Sequence, residues 1–236
     1  MVDRTEEEQI EAIKQWWNEN GKSIVIGIVV ALAAVFGYQG WQNRVQSTGE
    51  AASAIYEDMT AAIVLDSPFA TLTEEQRSTG RFLANQLKTD YADSAYAKFA
   101  ALFLAKMAVD EENYATARDE LNWALDSGLD DSLEVMTRIR LARVQLALGE
   151  PEAALETLNK VDPGEHQPTF EEVRGDIYMS KGDRTLAREA YQRALAGVED
   201  DQLRPMLQMK LDDLIVPERL APADEAGQDD ATGEDS

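Results

Sequence analysis

The chain has 236 residues, 45 acidic against 22 basic, with a formal net charge of -23 and no cysteine. Such a charge repels phosphate backbones, so the bulk of the chain is not expected to bind nucleic acid. The absence of thiols excludes a disulfide framework, zinc–thiolate sites and thiol nucleophiles, and leaves the redox compartment open.

Residues 1–22 read as a short amphipathic helix. Thr5-Glu-Glu-Glu8 fits a capping box, and Ile10, Ile13 and Trp17 recur at helical spacing as one apolar stripe. The stripe suits either a membrane surface or a docking handle for another protein. Asn18, Asn20 and Gly21 are expected to loosen the chain before the next segment.

Residues 23–43 carry no charge between Lys22 and Arg44 and are rich in Ile, Val, Leu and Ala. A run of this length reaches roughly the 30 Å of a bilayer core as a helix. Ile24, Val29, Leu32, Phe36, Tyr38 and Trp41 are the expected membrane-anchoring side chains, with Trp16 and Trp17 at the opposite interface. Gly27 with Ala31, and Ala33 with Gly37, permit close helix contact without requiring it. Arg4, Lys14 and Lys22 precede the span; after it stands Arg44 and then no basic residue until Arg77. This excess places the N-terminus in the cytoplasm and the long C-terminal part across the membrane. The rival is a signal peptide cleaved near Ala31-Leu32-Ala33. The six acids among the preceding residues (Asp3, Glu6, Glu7, Glu8, Glu11 and Glu19) argue instead for an uncleaved anchor.

Residues 46–89 read as two helices. Ala51, Ala54, Ile55, Met59 and Ile63 share one face of the first, and Ser67-Pro68 interrupts it. Thr73-Glu-Glu-Gln76 opens the second, with Phe82, Leu83 and Leu87 apolar. From about Asp93 a repeat emerges. Asn113-Tyr-Ala-Thr-Ala117 with Leu121 and Ala124, Gly149-Glu-Pro-Glu-Ala-Ala154 with Leu158 and Val161, and Gly182-Asp-Arg-Thr-Leu-Ala187 with Tyr191 and Ala194 share a turn, a small anchor and a large apolar residue four later. Ala105, Ala142 and Gly175 stand twelve before the three anchors. A period near 34 with small residues where antiparallel helices touch is the tetratricopeptide pattern. The fold expected is therefore all-α: one N-terminal transmembrane helix, then a tetratricopeptide solenoid over 46–215 with capping helices at both ends. The final cap would start near Asp201 and turn Leu203, Leu207, Leu211 and Leu214 inward. Residues 216–236, with Asp224, Glu225, Asp229, Asp230, Glu234 and Asp235, read as a disordered acidic tail.

No chemistry is expected. His166 is the single histidine, Asp130-Asp131 and Asp212-Asp213 read as solvated faces, and neither a P-loop nor a G-x-S-x-G elbow is present. No cofactor or metal is expected. The better reading is a peptide-gripping surface on the helices beginning near Ala97, Val135 and Glu171, with Lys98, Arg138 and Arg174 as the partner-binding residues.

Glu11-Ala-Ile-Lys-Gln-Trp-Trp-Asn-Glu-Asn-Gly-Lys22, the span's close Gly37-Tyr-Gln-Gly-Trp41, Arg140-Leu-Ala-Arg-Val-Gln-Leu-Ala-Leu-Gly149 and Gln208-Met-Lys-Leu-Asp-Asp-Leu214 together resemble the YfgM family. The resemblance runs from about residue 6 to residue 215, and the acidic tail lies beyond it. Members are tetratricopeptide proteins of the inner membrane, ancillary to the SecYEG translocon. The resemblance implies periplasmic repeats and a membrane-anchored periplasmic chaperone, PpiD, as partner. It also implies a link to the cytoplasmic regulator RcsB, which residues 1–22 would sequester in an alternative, regulatory role. It implies no catalytic residues.

Overall fold

The apolar run and the first helix of the repeat domain lie on one continuous helix, α1 (Glu6–Ala62). At 1.5 Å per residue its 57 residues measure about 85 Å. The structure is a computed structural model and describes residues 6–64, 71–197 and 203–219. The expected loosening at Asn18, Asn20 and Gly21 does not occur. Asn20 Nδ2 donates to the Trp16 carbonyl at 3.1 Å, and Gln15 Nε2 to Glu19 Oε1 at 3.3 Å. The Trp17 indole covers Gly21, 3.1 Å from where a Cβ would stand. Side-chain bonds one turn apart thus carry the helix through residues of weak propensity. Nor does a new helix begin at residue 46: Ser47 Oγ donates to the Arg44 carbonyl and Gln46 Nε2 to Glu50, and the helix runs on through Gly49. The expected capping box rests on Thr5, outside the described residues, and the Ser67-Pro68 interruption also lies outside them.

Past residue 50, α1 turns one face to the protein. Ala52 and Met59 are buried, with Ile55, Tyr56 and Ile63 half-buried. Ala54, expected inside, is exposed; Ala52 takes its place because the buried stripe is centred a little further round the helix. Helix α2 (Glu74–Asp90) returns antiparallel. Thr73 caps it, its hydroxyl accepting from the Gln76 amide while the Gln76 side chain accepts from the Thr73 amide. Gly80, Ala84 and Leu87 form its inner face; Phe82, one of the apolar residues read there, is 68% exposed. Gly80 is required for the approach, because a Cβ there would stand 2.8 Å from Ile63 and 3.0 Å from Phe103.

Three antiparallel pairs follow: α3 (Ala95–Asp110) with α4 (Tyr114–Asp126), α5 (Asp131–Ala147) with α6 (Pro151–Leu158), and α7 (Gln167–Ser180) with α8 (Arg184–Ala196). Ser94 and Asp130 cap α3 and α5. The anchors Ala117, Ala154 and Ala187 are fully buried, as are their partners Ala105, Ala142 and Gly175. At the third pair the Tyr191 ring lies on Gly175, where a Cβ would come within 2.3 Å of it.

The turn inside each pair is the same object three times. The amides of Asn113, Glu150 and Asp183 each donate to the carbonyl five residues back, at 2.8, 2.9 and 2.9 Å. The residue before each is left-handed: Glu112 (φ 57°), Gly149 (φ 78°) and Gly182 (φ 81°). This is a Schellman closure, in which glycine avoids a Cβ clash that Glu112 must bear.

Helix α9 (Leu203–Arg219) covers α8 with Leu207, Leu211 and Leu214. It runs four residues past the boundary expected at 215, through Pro217; the Leu203 side chain and residues 220–236 lie outside the described residues. Arg184 donates to the Asp213 and Leu214 carbonyls at 3.2 and 3.1 Å, tying the cap to the last pair.

Candidate partner-docking groove

The helical apolar run is bare. Its most apolar window has a mean hydropathy of 2.0 and none of it is buried against protein. Val29, Leu32, Phe36, Tyr38 and Trp41 are all at least half exposed, and Ile24 is intermediate. A soluble core helix would be covered, so this part of α1 is a candidate membrane span. Tyr38 and Trp41 stack on each other at 6.0 Å near its end.

Lys98, Arg138 and Arg174 stand on α3, α5 and α7, the first helix of each pair, and each is engaged within the domain. The Lys98 ammonium donates to the Gly128 carbonyl in the next loop. Arg138 pairs with Glu134 at 2.7 Å. Arg174 pairs with Glu171 at 2.9 Å and lies over the Phe170 ring, 4.7 Å from its centroid. Glu171 is buried and also takes Arg193 at 2.9 Å. A buried carboxylate held by two guanidiniums is well compensated, and breaking it would leave an unpaired charge. None of the three lines the cavity between α3 and α5.

That cavity holds about 560 Å³ and is open to one side. Helix α3 contributes Leu102, Phe103 and Val109, α4 contributes Tyr114 and Leu121, and α5 contributes Val144. Lys106, Arg140 and Arg143 stand at its edge. Phe99, Leu102, Lys106 and Val109 recur at helical spacing, so the apolar band continues along α3 to Phe99 and from there to Tyr56 of α1, 6.1 Å ring to ring. The sequence held a signal for this: Lys106, Arg143 and Asp176 each follow the small residue of their repeat and so occupy the same register. Reading the repeat from its small residues outward points to Lys106 and Arg143.

The face of the third pair is bridged by charges, whereas the gap between the first two pairs is open. Lys210 of α9 reaches Asp176 and Glu172 at 2.8 Å each, Arg143 reaches Glu172 at 3.5 Å, and the Tyr191 hydroxyl donates to Asp176 at 2.7 Å. Burial works against the Lys210 charge, but its bonds to Asp176 and Glu172 outweigh that and hold its pKa above the ordinary value. Burial, with Asp176 as acceptor, pushes the Tyr191 phenol up. Among the described residues no group of three or more His, Asp or Glu side chains could hold a metal ion. His166, half-buried at the end of a short 3-10 turn (Gly164–His166), has its Nε2 3.1 Å from Ser132 Oγ.

The family model of a tetratricopeptide repeat-like domain matches residues 14–216, from the N-terminal part of α1 to α9. The chain belongs to this tetratricopeptide repeat-like family. Relatives carry the name ancillary SecYEG translocon subunit, in keeping with the resemblance drawn from the sequence. The one from Aggregatibacter actinomycetemcomitans is 36% identical over 89% of this chain and 97% of its own length. Those from Haemophilus influenzae and Escherichia coli are 32% and 30% identical over the same shares. No solved structure matches the chain. The repeat-like match includes the apolar helix as well as the repeats, so this tetratricopeptide repeat-like protein shares its anchor-plus-stack plan with the family.

Proposed function

We propose that the chain is a membrane-anchored ancillary subunit of a SecYEG translocon. Residues 23–43 span the inner membrane, residues 1–22 are cytoplasmic, and the repeats over 46–215 stand in the periplasm. There they dock a PpiD-like membrane-anchored chaperone and the polypeptide that emerges from the channel. The observation that carries the reading is the continuity of α1: one unbroken helix joins a bare apolar run to the core of a repeat stack. Only about nine residues, some 13 Å of helix, separate the end of the span from buried Ala52. The stack is thereby held close to the membrane, and tethering replaces a bimolecular encounter with a local one. The names of the relatives support the translocon as the neighbour. The function proposed is scaffolding rather than catalysis.

Site-specific photo-crosslinking in cells tests this. Probes at Ala33 and Tyr38 are expected to capture translocon subunits, and probes at Phe99 and Arg140 a periplasmic chaperone. Cytoplasmic adducts from the repeat positions would invert the topology and end the reading.

A second reading has its own observation. Ile10, Ile13 and Trp17 are exposed along the N-terminal part of α1, with no protein packed on them. This stripe suits sequestration of an RcsB-like cytoplasmic regulator. Replacing residues 1–22 by an unrelated helix of equal charge is expected to abolish only the regulatory phenotype; an unchanged phenotype would remove this role.

A further inference from the structure

The groove between α3 and α5 has a chemical character that the rest of the chain lacks. The chain carries a net charge of -23, yet the edge of this apolar cleft gathers Lys106, Arg140 and Arg143. Two of the three have a carboxylate partner. Lys106 bonds Asp110 one turn on, at 2.7 Å, and Arg143 shares Glu172 with Lys210 at the longer distance of 3.5 Å. Arg140 is exposed and makes no hydrogen bond or ion pair among the described residues. Val109, inside the cleft, is 39% exposed, and Phe99 on the same face is 40% exposed. A stable helix pair does not need an open apolar cleft fringed by an idle cation, and an apolar floor with a charged rim is the anatomy of a docking site.

The geometry points to an amphipathic acidic segment of a partner polypeptide as the occupant: apolar side chains enter between Leu102, Val109 and Val144, and carboxylates meet Arg140 and Arg143. This deepens the reading of the repeats as a docking surface and rests on that part of it, not on the translocon. Charge complementarity selects the partner, since a basic segment would be drawn to almost any other face of this acidic stack. The chain's own tail does not fit. After Leu220 it holds no Val, Ile, Leu, Met, Phe, Tyr or Trp, so it has carboxylates for the rim and nothing for the floor. The band running from the cleft through Phe99 to Tyr56 directs the remainder of the segment toward α1. An Arg rim suits carboxylates better than lysine would, because a planar guanidinium engages both oxygens.

The test uses the full chain in detergent micelles and a fluorescein-labelled eighteen-residue synthetic helix with Leu at i, i+3, i+4 and i+7 and Glu on its flanks. A matched peptide carries Lys in place of Glu. Fluorescence anisotropy is expected to give tighter binding of the Glu peptide. Arg140→Glu breaks no internal bond and is expected to weaken the Glu peptide about 5-fold to 10-fold while strengthening the Lys peptide, the size of one rim ion pair lost and one repulsion gained. Val109→Asp, at a partly exposed site, is expected to weaken both peptides. Equal binding of the two peptides by the unmutated chain, or an Arg140→Glu variant with unchanged preference, overturns the inference. So does a gain of more than tenfold on removing residues 220–236, which would make the tail the occupant. Translocon crosslinks from Ala33 that persist when peptide binding fails would leave the anchor reading standing and this one alone refuted.

Discussion

The two halves of α1 obey different rules. Residues 8–45 bury almost nothing: Val29, Phe36 and Trp41 are open all round the helix. Residues 52–62 bury one stripe, Ala52 and Met59, and leave Ala54 and Ala61 outside. A helix apolar on every side needs a solvent that is itself apolar, whereas a one-sided helix needs a protein partner. One continuous rod therefore answers to two solvents, and no hinge among the described residues separates the parts.

Charging the span is the severest challenge to this contrast. Val29→Arg with Leu32→Arg costs about 3 kcal/mol per site for insertion. Membrane fractionation is expected to move the chain from the pellet to the supernatant, while the melting of the repeat stack stays unchanged. The rigid junction is probed next. Two alanines inserted after Gln46 rotate the stack by about 200° and raise it about 3 Å, whereas seven rotate it by only about 20° but raise it about 10 Å. If the helix sets orientation, chaperone crosslinks from Phe99 vanish with two residues and survive with seven; the reverse order would mean that height, not azimuth, matters.

Smaller effects sharpen the contrast from inside the stack. Met59→Ala leaves a cavity and is expected to cost about 2–4 kcal/mol, lowering the melting temperature by about 5–10 °C, while Phe36→Ala leaves it unchanged. Alkaline titration addresses the far end. The pKa of Lys210 is raised on folding, so its contribution is complete below the unfolded value of about 10.4 and is lost as pH climbs through the folded one. Thermal melts of the unmutated chain are expected to fall on this alkaline limb more steeply than those of Lys210→Gln, which starts lower at neutral pH. The least effect is a gain. Glu112→Gly relieves a left-handed residue in the first Schellman turn and is expected to stabilise by about 0.5–1 kcal/mol, net of the glycine's extra entropy.

Much of the design was legible beforehand for local reasons. The span showed itself by a charge-free run, and the repeats by Ala117, Ala154 and Ala187 recurring with small partners twelve residues earlier, because close helix contact admits only small side chains. The capping leucines of α9 followed from simple periodicity. The groove was not legible in the same way. Lys98, Arg138 and Arg174 were chosen for charge and helix, yet folding spends them on Gly128, Glu134 and Glu171. Charge at a position is a local property, but whether it is idle depends on which loop or carboxylate the next helix brings alongside.

The sequence by itself determined a membrane-length apolar helix, three tetratricopeptide units and a leucine-faced terminal helix, since each depends on spacing within one segment. Only the tertiary structure decided that Arg140 stands without an ion pair among the described residues beside an apolar cleft, while Arg174 is held by Glu171 and Phe170. Those outcomes turn on contacts between segments far apart in the chain, where packing rather than periodicity assigns each side chain its neighbour.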